Sequence, residues 1–272
     1  MNFSKQTIDY KKIAVFLENQ YTKYHHAEFI APDPLMVVRT YEDSREREFA
    51  AFIAAHFALG RACCISDTVQ TILNGICVTA QQKTNNDFAS KPLSALLALD
   101  EADLFYTFNN FVYRFFSFSD LVSLLLTLQS IYTSYGSLEN LLAQKLINTE
   151  GSLLTALSQF VSALESANPS QHTWKPNLIP SPKNGSACKR LMLFLRWMVR
   201  KDAIDPGGWS ILTPAALLVP LDTHAIRSYR KLGFIQTTAV TIKTVLTVTD
   251  HLKHIAPEDP LKYDFVLSRP YA

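Results

Sequence analysis

The chain has 272 residues, of which 48% are hydrophobic and 18% charged, with a formal net charge of +2 and a pI near 8.3. This is the balance of a folded globular protein. It excludes the fibrous and disordered classes, and the charge is too mild to announce a nucleic-acid partner by itself. Eight glycines, with no GxGxxG or GxxxxGK[ST] pattern, argue against a phosphate-cradling Gly-rich loop.

Cys63, Cys64, Cys77 and Cys188 show no CxxC spacing, so neither a metal or iron–sulfur site nor a disulfide framework is expected, and no cofactor. The start MNFSKQTIDYKK lacks the apolar core of a signal peptide. No uninterrupted apolar run reaches about 18 residues. The expectation is a cytoplasmic protein with no membrane association.

Helical periodicity dominates in chain order. Residues 5–24 read as a first helix, and APDPLMVVRTYEDS as a proline-rich connector. REREFAAFIAAHFALGR, 45–61, reads as a helix stopped near Gly60, and 65–82 as another. A polar loop at 81–92 leads to helices at 93–100, 101–109, 119–135, 137–147 and 149–165. ANPSQHTWKPNLIPSPKNGSA, 167–187, is the clearest break. Helices follow at 188–201, 223–232 and 236–254, with a short last one starting at Pro260. The fold expected is all-α, a single domain over 1–272, with two lobes and a cleft as a further possibility.

On the 188–201 helix, Leu191, Phe194, Leu195 and Met198 recur at helical spacing and build an apolar face. Lys189, Arg196 and Arg200 fall on the opposite side, with Arg190 and Trp197 on a shoulder. No acidic residue occurs between Lys183 and Lys201, so this face is either a solvated surface or a phosphate-engaging patch. Ahead of it, Lys183, Asn184, Gly185 and Ser186 form a tight turn whose N–H groups, with the positive end of the helix dipole, suit a phosphate oxygen. Lys189 at the helix start is a candidate nucleophile. Further on, the apolar run 217–221 breaks at Asp222-Thr223-His224. Asp222 or Thr223 caps the next helix, and a carboxylate held there can also be catalytic.

IPSPKNGSACKRL (179–191) followed by PLDTHAIRSYRKLGF (220–234) resembles the helix–hairpin–helix DNA glycosylase superfamily, which includes endonuclease III-like and archaeal 8-oxoguanine glycosylases. In the second segment Asp222, Thr223, His224, Arg227, Leu232 and Gly233 match the pattern. In the first only Gly185 remains of the hairpin glycines. Fainter similarity covers 33–61 and 109–142, and the chain also looks like a member of an uncharacterised bacterial family distantly related to these enzymes. The separation of Lys189 from Asp222 is longer than the common pattern, with the extra length in KDAIDPGGWSILTP (201–214).

The resemblance implies a helix–hairpin–helix glycosylase-like fold acting on double-stranded DNA, with 179–234 as its hairpin and catalytic-like segment. Asp222 would stabilise the oxocarbenium-like sugar, and Lys189 would attack the anomeric carbon in a bifunctional glycosylase–lyase, an oxidised purine being the first guess for the base. It also implies DNA contacts from Lys183, Asn184, Gly185, Ser186, Arg190, Arg196 and Arg227, and no iron–sulfur cluster. Trp197, Trp209 and Phe57 are candidates for stacking a flipped base, though in a helical core each is more often packing than platform. His56, His224 and His254 are read as structural, and Glu46/Glu48 and Glu258/Asp259 as solvated faces or helix caps. Two other functions stay open: a non-catalytic DNA-binding module of the same fold, and a helical protein whose basic face binds an acidic partner.

Overall fold

The computed structural model describes residues 8–268, so residues 5–7 of the expected first helix lie outside the described part. Among the described residues the chain is all-α apart from one two-stranded hairpin. In order come α1 (Tyr10–Tyr24), α2 (Leu35–Val38), α3 (Ser44–His56), α4 (Ala62–Thr84), α5 (Pro92–Leu97) and α6 (Glu101–Phe108). The hairpin, β1 (Val112–Tyr113) and β2 (Phe116–Ser117), precedes α7 (Phe118–Tyr135), α8 (Leu138–Asn148) and α9 (Leu153–Ala167). After the long irregular segment come α10 (Lys189–Val199), α11 (Thr223–Lys231), α12 (Ile242–Ile255) and α13 (Asp264–Leu267). The hairpin was not expected: strands this short are too brief to display an alternating pattern. The stretch 45–61 ends sooner than expected, at His56, and Gly60-Arg61 is the link that opens α4 rather than the end of α3.

The centre of the fold is α3, buried at every position from Phe49 to His56 and packed along α10. A helix without a solvent face must satisfy its polar groups internally. Glu46 and Glu48 do so by capping other helices. Glu46 accepts the N–H groups of Leu93 (2.6 Å) and Ser94 (3.1 Å) at the start of α5. Glu48 accepts those of Leu138 (2.8 Å) and Glu139 (3.1 Å) at the start of α8, and the indole N–H of Trp209 (2.7 Å). The pair is thus a pair of caps, but in the core rather than on a solvated face, and for helices remote in sequence.

The apolar stripe of α10 packs as the spacing predicts: Leu191, Phe194, Leu195 and Met198 are buried. On the opposite face Arg196 and Arg200 are buried too and only Lys189 keeps about one-third of its side chain exposed, which overturns the reading of that face as a basic surface. Arg196 is 4% exposed and Arg200 3%. Arg196 donates to Asp205 (3.1 Å) and Asp264 (2.7 Å). Arg200 donates to Asp205, Asp202 (2.8 Å) and Asp259 (2.9 Å). Asp259 is therefore an ion-pair partner and not a solvated acid. The acids arrive on the 201–214 insertion and the C-terminal segment, which is why the sequence of α10 alone could not show them. That insertion folds back on the end of α10, where Gly207 N–H donates to Trp197 O (3.0 Å) and Trp209 N–H to Met198 O (2.8 Å). These bonds satisfy carbonyls that the helix end leaves open. Among the described residues, no helix is long and apolar enough to cross a membrane.

Candidate active site

The starts of α10 and α11 face one cleft of about 900 Å3, closed on its other side by the α3–α4 link, Asp33–Leu35 and the Asp264–Phe265 segment. Chain geometry delivers Lys189 to it in steps. The Ser181 hydroxyl accepts the Lys183 N–H, Pro182–Asn184 make one turn of 3-10 helix, and Gly185 reverses the chain at φ +74. Cys188 takes a left-handed conformation (φ 46), its thiol donating to Pro180 O (3.1 Å), and α10 begins at Lys189 with no side-chain cap. Burial pushes the Cys188 thiol up to about 11, so this residue is a structural thiol and not a nucleophile.

Asp222 is the N-cap of α11. Its Oδ1 accepts the N–H groups of His224 (2.9 Å) and Ala225 (2.8 Å). Its Oδ2 lies 2.9 Å from Lys189 Nζ, both side chains being about one-third exposed at 31% and 35%. Partial burial works to raise the Asp222 carboxyl, but the charge of Lys189 and the capping N–H bonds outweigh it, so the group sits below the ordinary carboxylate range. The arrangement holds an anion and a primary amine together in a concave site, at the positive ends of two helix dipoles. It can stabilise a developing cation and offer an amine to an electrophilic carbon.

The chain belongs to the DUF2400 family. The model of that family, described as a protein of unknown function, matches residues 33–271. No curated protein and no solved structure matches the chain. The matched region contains every residue of the cleft.

The remaining candidates of this DUF2400 protein fall into three groups. Lys183, Asn184, Gly185 and Arg227 are exposed and Ser186 is partly so. The turn's N–H groups are not offered outward as expected, because those of Lys183, Asn184 and Gly185 bond to Ser181 and Pro182 within the turn. On its other side the Gly185 carbonyl accepts the N–H of Ile242 (3.1 Å), tying the turn to the start of α12.

Arg190 borders the cleft, but its guanidinium donates to the carbonyls of His56 (2.8 Å) and Asn177 and lies over the Phe116 ring. Burial pulls it down to about 10. Its first role is to join α10 to the end of α3. Arg196 is removed from the DNA-contacting set by its buried carboxylate partners.

The stacking candidates are core residues. Trp209 is 7% exposed and edge-on to Phe194 at 5.1 Å; Phe57 is fully buried; Trp197, at 2%, packs beneath the cleft instead of standing free in it. His56 is fully buried, its Nδ1 2.8 Å from Phe52 O and its Nε2 without a hydrogen-bond partner among the described residues, and burial, then the charge of Arg190, hold it down to about 3. His224 is exposed at the cleft's edge and His254 is exposed on α12, its Nδ1 2.7 Å from Asp250 O. Among the described residues no cluster of His, Cys, Asp and Glu could hold a metal ion.

Sequence reasoning missed Arg61 and Arg114, which also border the cleft. The signal available for Arg61 was the Gly60-Arg61 pair, which reads equally as the end of one helix or the start of the next.

Proposed function

We propose that this protein is a DNA glycosylase of the helix–hairpin–helix type that uses Lys189 and Asp222 for base excision with lyase chemistry. The observation that carries the reading is the 2.9 Å pairing of Lys189 Nζ with Asp222 Oδ2 inside the cleft. The resemblance of 179–191 and 220–234 to the superfamily motifs names the same two residues independently of that distance.

In this reading Lys189 first gives up a proton to solvent, and Asp222 stays anionic beside the free amine. The free amine attacks C1′ of the flipped nucleotide, and the C1′–N bond breaks with its electron pair leaving on the base. The departing base nitrogen takes up a proton from solvent. Ring opening gives a C1′=Nζ Schiff base and permits elimination of the 3′ phosphate. Asp222, held anionic by its caps, stabilises the positive charge that the sugar develops in between. Its depressed affinity for protons suits this electrostatic role better than that of proton carrier.

The competing reading is a DNA-binding module without chemistry. It is favoured by the way Lys189 and Asp222 occupy one another, so that the amine must be released before it can act. Borohydride trapping decides between them, using labelled duplexes carrying 8-oxoguanine, an oxidised pyrimidine, an alkylated purine, uracil or an abasic site. A covalent adduct that disappears in Lys189→Gln, with base release slowed in Asp222→Asn, is the expected result. Salt-sensitive duplex binding with neither adduct nor base release supports the module instead.

A further inference from the structure

Cations and carboxylates do not balance along the cleft. Lys189 is paired with Asp222 and Arg196 with Asp264, Asp33 accepts the Leu35 N–H (3.0 Å), and Arg190 spends its guanidinium on carbonyls. With Arg61 and Arg114 counted, this leaves five cations against three carboxylates among the described residues of the cleft. Arg61 and Arg114 border the same cleft and are exposed, and among the described residues no ion pair joins either to a carboxylate.

Both arginines stand where their residue type is disfavoured. Arg61 is the N-cap of the long α4, a place for short oxygen-bearing side chains, and it makes no side-chain capping bond. A cation there also meets the positive end of the helix dipole. Arg114 has φ +58 at the first of the two tip positions between β1 and β2, where a tight hairpin ordinarily uses glycine, asparagine or aspartate.

The fold also holds the two together. The Tyr113 hydroxyl donates to Leu59 O (2.7 Å), clamping the hairpin to the link between α3 and α4. A Cβ built on Gly60 would lie 3.6 Å from Arg114 Nη1, so this guanidinium rests against the residue preceding Arg61. The same cleft is bordered by a buried donor, Arg196 Nη2, that has no hydrogen-bond partner among the described residues. Cations gathered in costly positions, beside uncapped N–H groups and joined among the described residues to no carboxylate by an ion pair, are what an external anion stabilises.

We infer that Arg61, Arg114 and the first-turn N–H groups of α4 form a phosphate-binding site, which takes a phosphodiester group of the nucleic-acid strand whose reacting nucleotide sits at Lys189 and Asp222. The inference rests on the proposed function for the identity of the strand, but the phosphate chemistry is testable without it.

The test measures anisotropy of a labelled duplex across a salt series for the full chain, Arg61→Ala/Arg114→Ala and Arg114→Gly, with calorimetric binding of inorganic pyrophosphate alongside. The expected result is a log–log salt slope reduced by about 1 to 2 in the double variant and by about 1 in Arg114→Gly. Arg114→Gly places the favoured residue at the hairpin tip, so it should melt no lower than the parent, and weaker binding cannot then be assigned to misfolding. Salt-dependent duplex binding with an unchanged slope in both variants overturns the inference and leaves the glycosylase reading standing. Pyrophosphate binding lost in the variants, with no duplex binding by the parent, retains the phosphate site and removes the nucleic-acid reading. Binding of neither probe by the parent overturns the site.

Discussion

Lys189 and Asp222 meet through Oδ2, which faces the lysine amine at 2.9 Å, while Oδ1 accepts two N–H groups that begin α11. Capping and pairing are thus carried by different atoms of one residue, and substitution separates them. Asp222→Asn keeps a capping oxygen and loses the anion, whereas Asp222→Ala loses both. Thermal and urea denaturation at neutral pH should show Asn below the parent by the contribution of the anion, and Ala lower still by about 1 kcal/mol, the usual worth of an N-cap. Equal losses in Asn and Ala would mean that the ion pair, not the cap, stabilises this corner.

The same carboxylate has a pH signature. The folded state holds Asp222 below its ordinary range, so the stabilisation from the anion is fully present above the unfolded value, about 3.9, and is lost as pH falls through the lower folded value. The stability gap between parent and Asp222→Asn should be constant from about pH 7 to 5 and should close below about pH 4. Urea midpoints across that range measure it. A gap that widens in acid contradicts the assignment.

The buried arginines make a sharper prediction. Arg196 lies between Asp205 and Asp264, and removing it leaves Asp264 buried without a cation and Asp205 with Arg200 alone. Arg196→Ala should therefore cost about 3–5 kcal/mol, the range for breaking a buried pair from one side. Replacing Arg196, Asp205 and Asp264 together with apolar residues of similar volume should cost much less. Denaturant titration of the two variants checks the order, and a triple variant no better than the single one would show that the network's internal charges are not what costs stability when one is lost.

Beside it, Asp202 tests the network's acid limit. Burial works to raise its carboxyl, but His25, the charge of Arg200, and the N–H groups of Asp205 and Ile204 together hold it well below the carboxylate range. Its contribution is present above about pH 4 and disappears as pH falls toward the folded value. Asp202→Asn should lower stability at pH 7 and flatten the acid limb of the stability curve. A parallel shift of the whole curve would assign the loss to packing.

Local signals carried most of the helices and the placing of Asp222, because capping and periodicity are properties of neighbouring residues. The stripe Leu191, Phe194, Leu195, Met198 and the Asp222-Thr223-His224 start needed nothing beyond their own segment. What escaped was set by distant partners. Arg196 and Arg200 look like a basic surface until Asp205, Asp259 and Asp264 fold onto them. Glu48 looks solvated until the starts of α8 and Trp209 reach it. Arg114 enters the cleft only through a hairpin too short to leave a periodic trace.

Two glycines at positive φ should respond differently to alanine, and the contrast bears on the candidate site. Gly207 has φ +67, and an added Cβ would stand 2.9 Å from Lys201 Cβ and 3.2 Å from Arg200 O, so Gly207→Ala combines left-handed strain with a clash on the segment that carries Arg200. Gly185 has φ +74 with nothing within 4 Å of an added Cβ, so Gly185→Ala should cost only the left-handed penalty, about 1 kcal/mol. Its N–H is already bonded to Pro182 O at 2.9 Å, so a phosphate gains little by approaching this turn closely. Gly185→Ala should accordingly leave duplex affinity and its salt slope unchanged while lowering the melting temperature slightly. Gly207→Ala should be the less stable of the two. A strong loss of duplex binding in Gly185→Ala, at preserved stability, would move the phosphate contact back to the turn and away from Arg61 and Arg114.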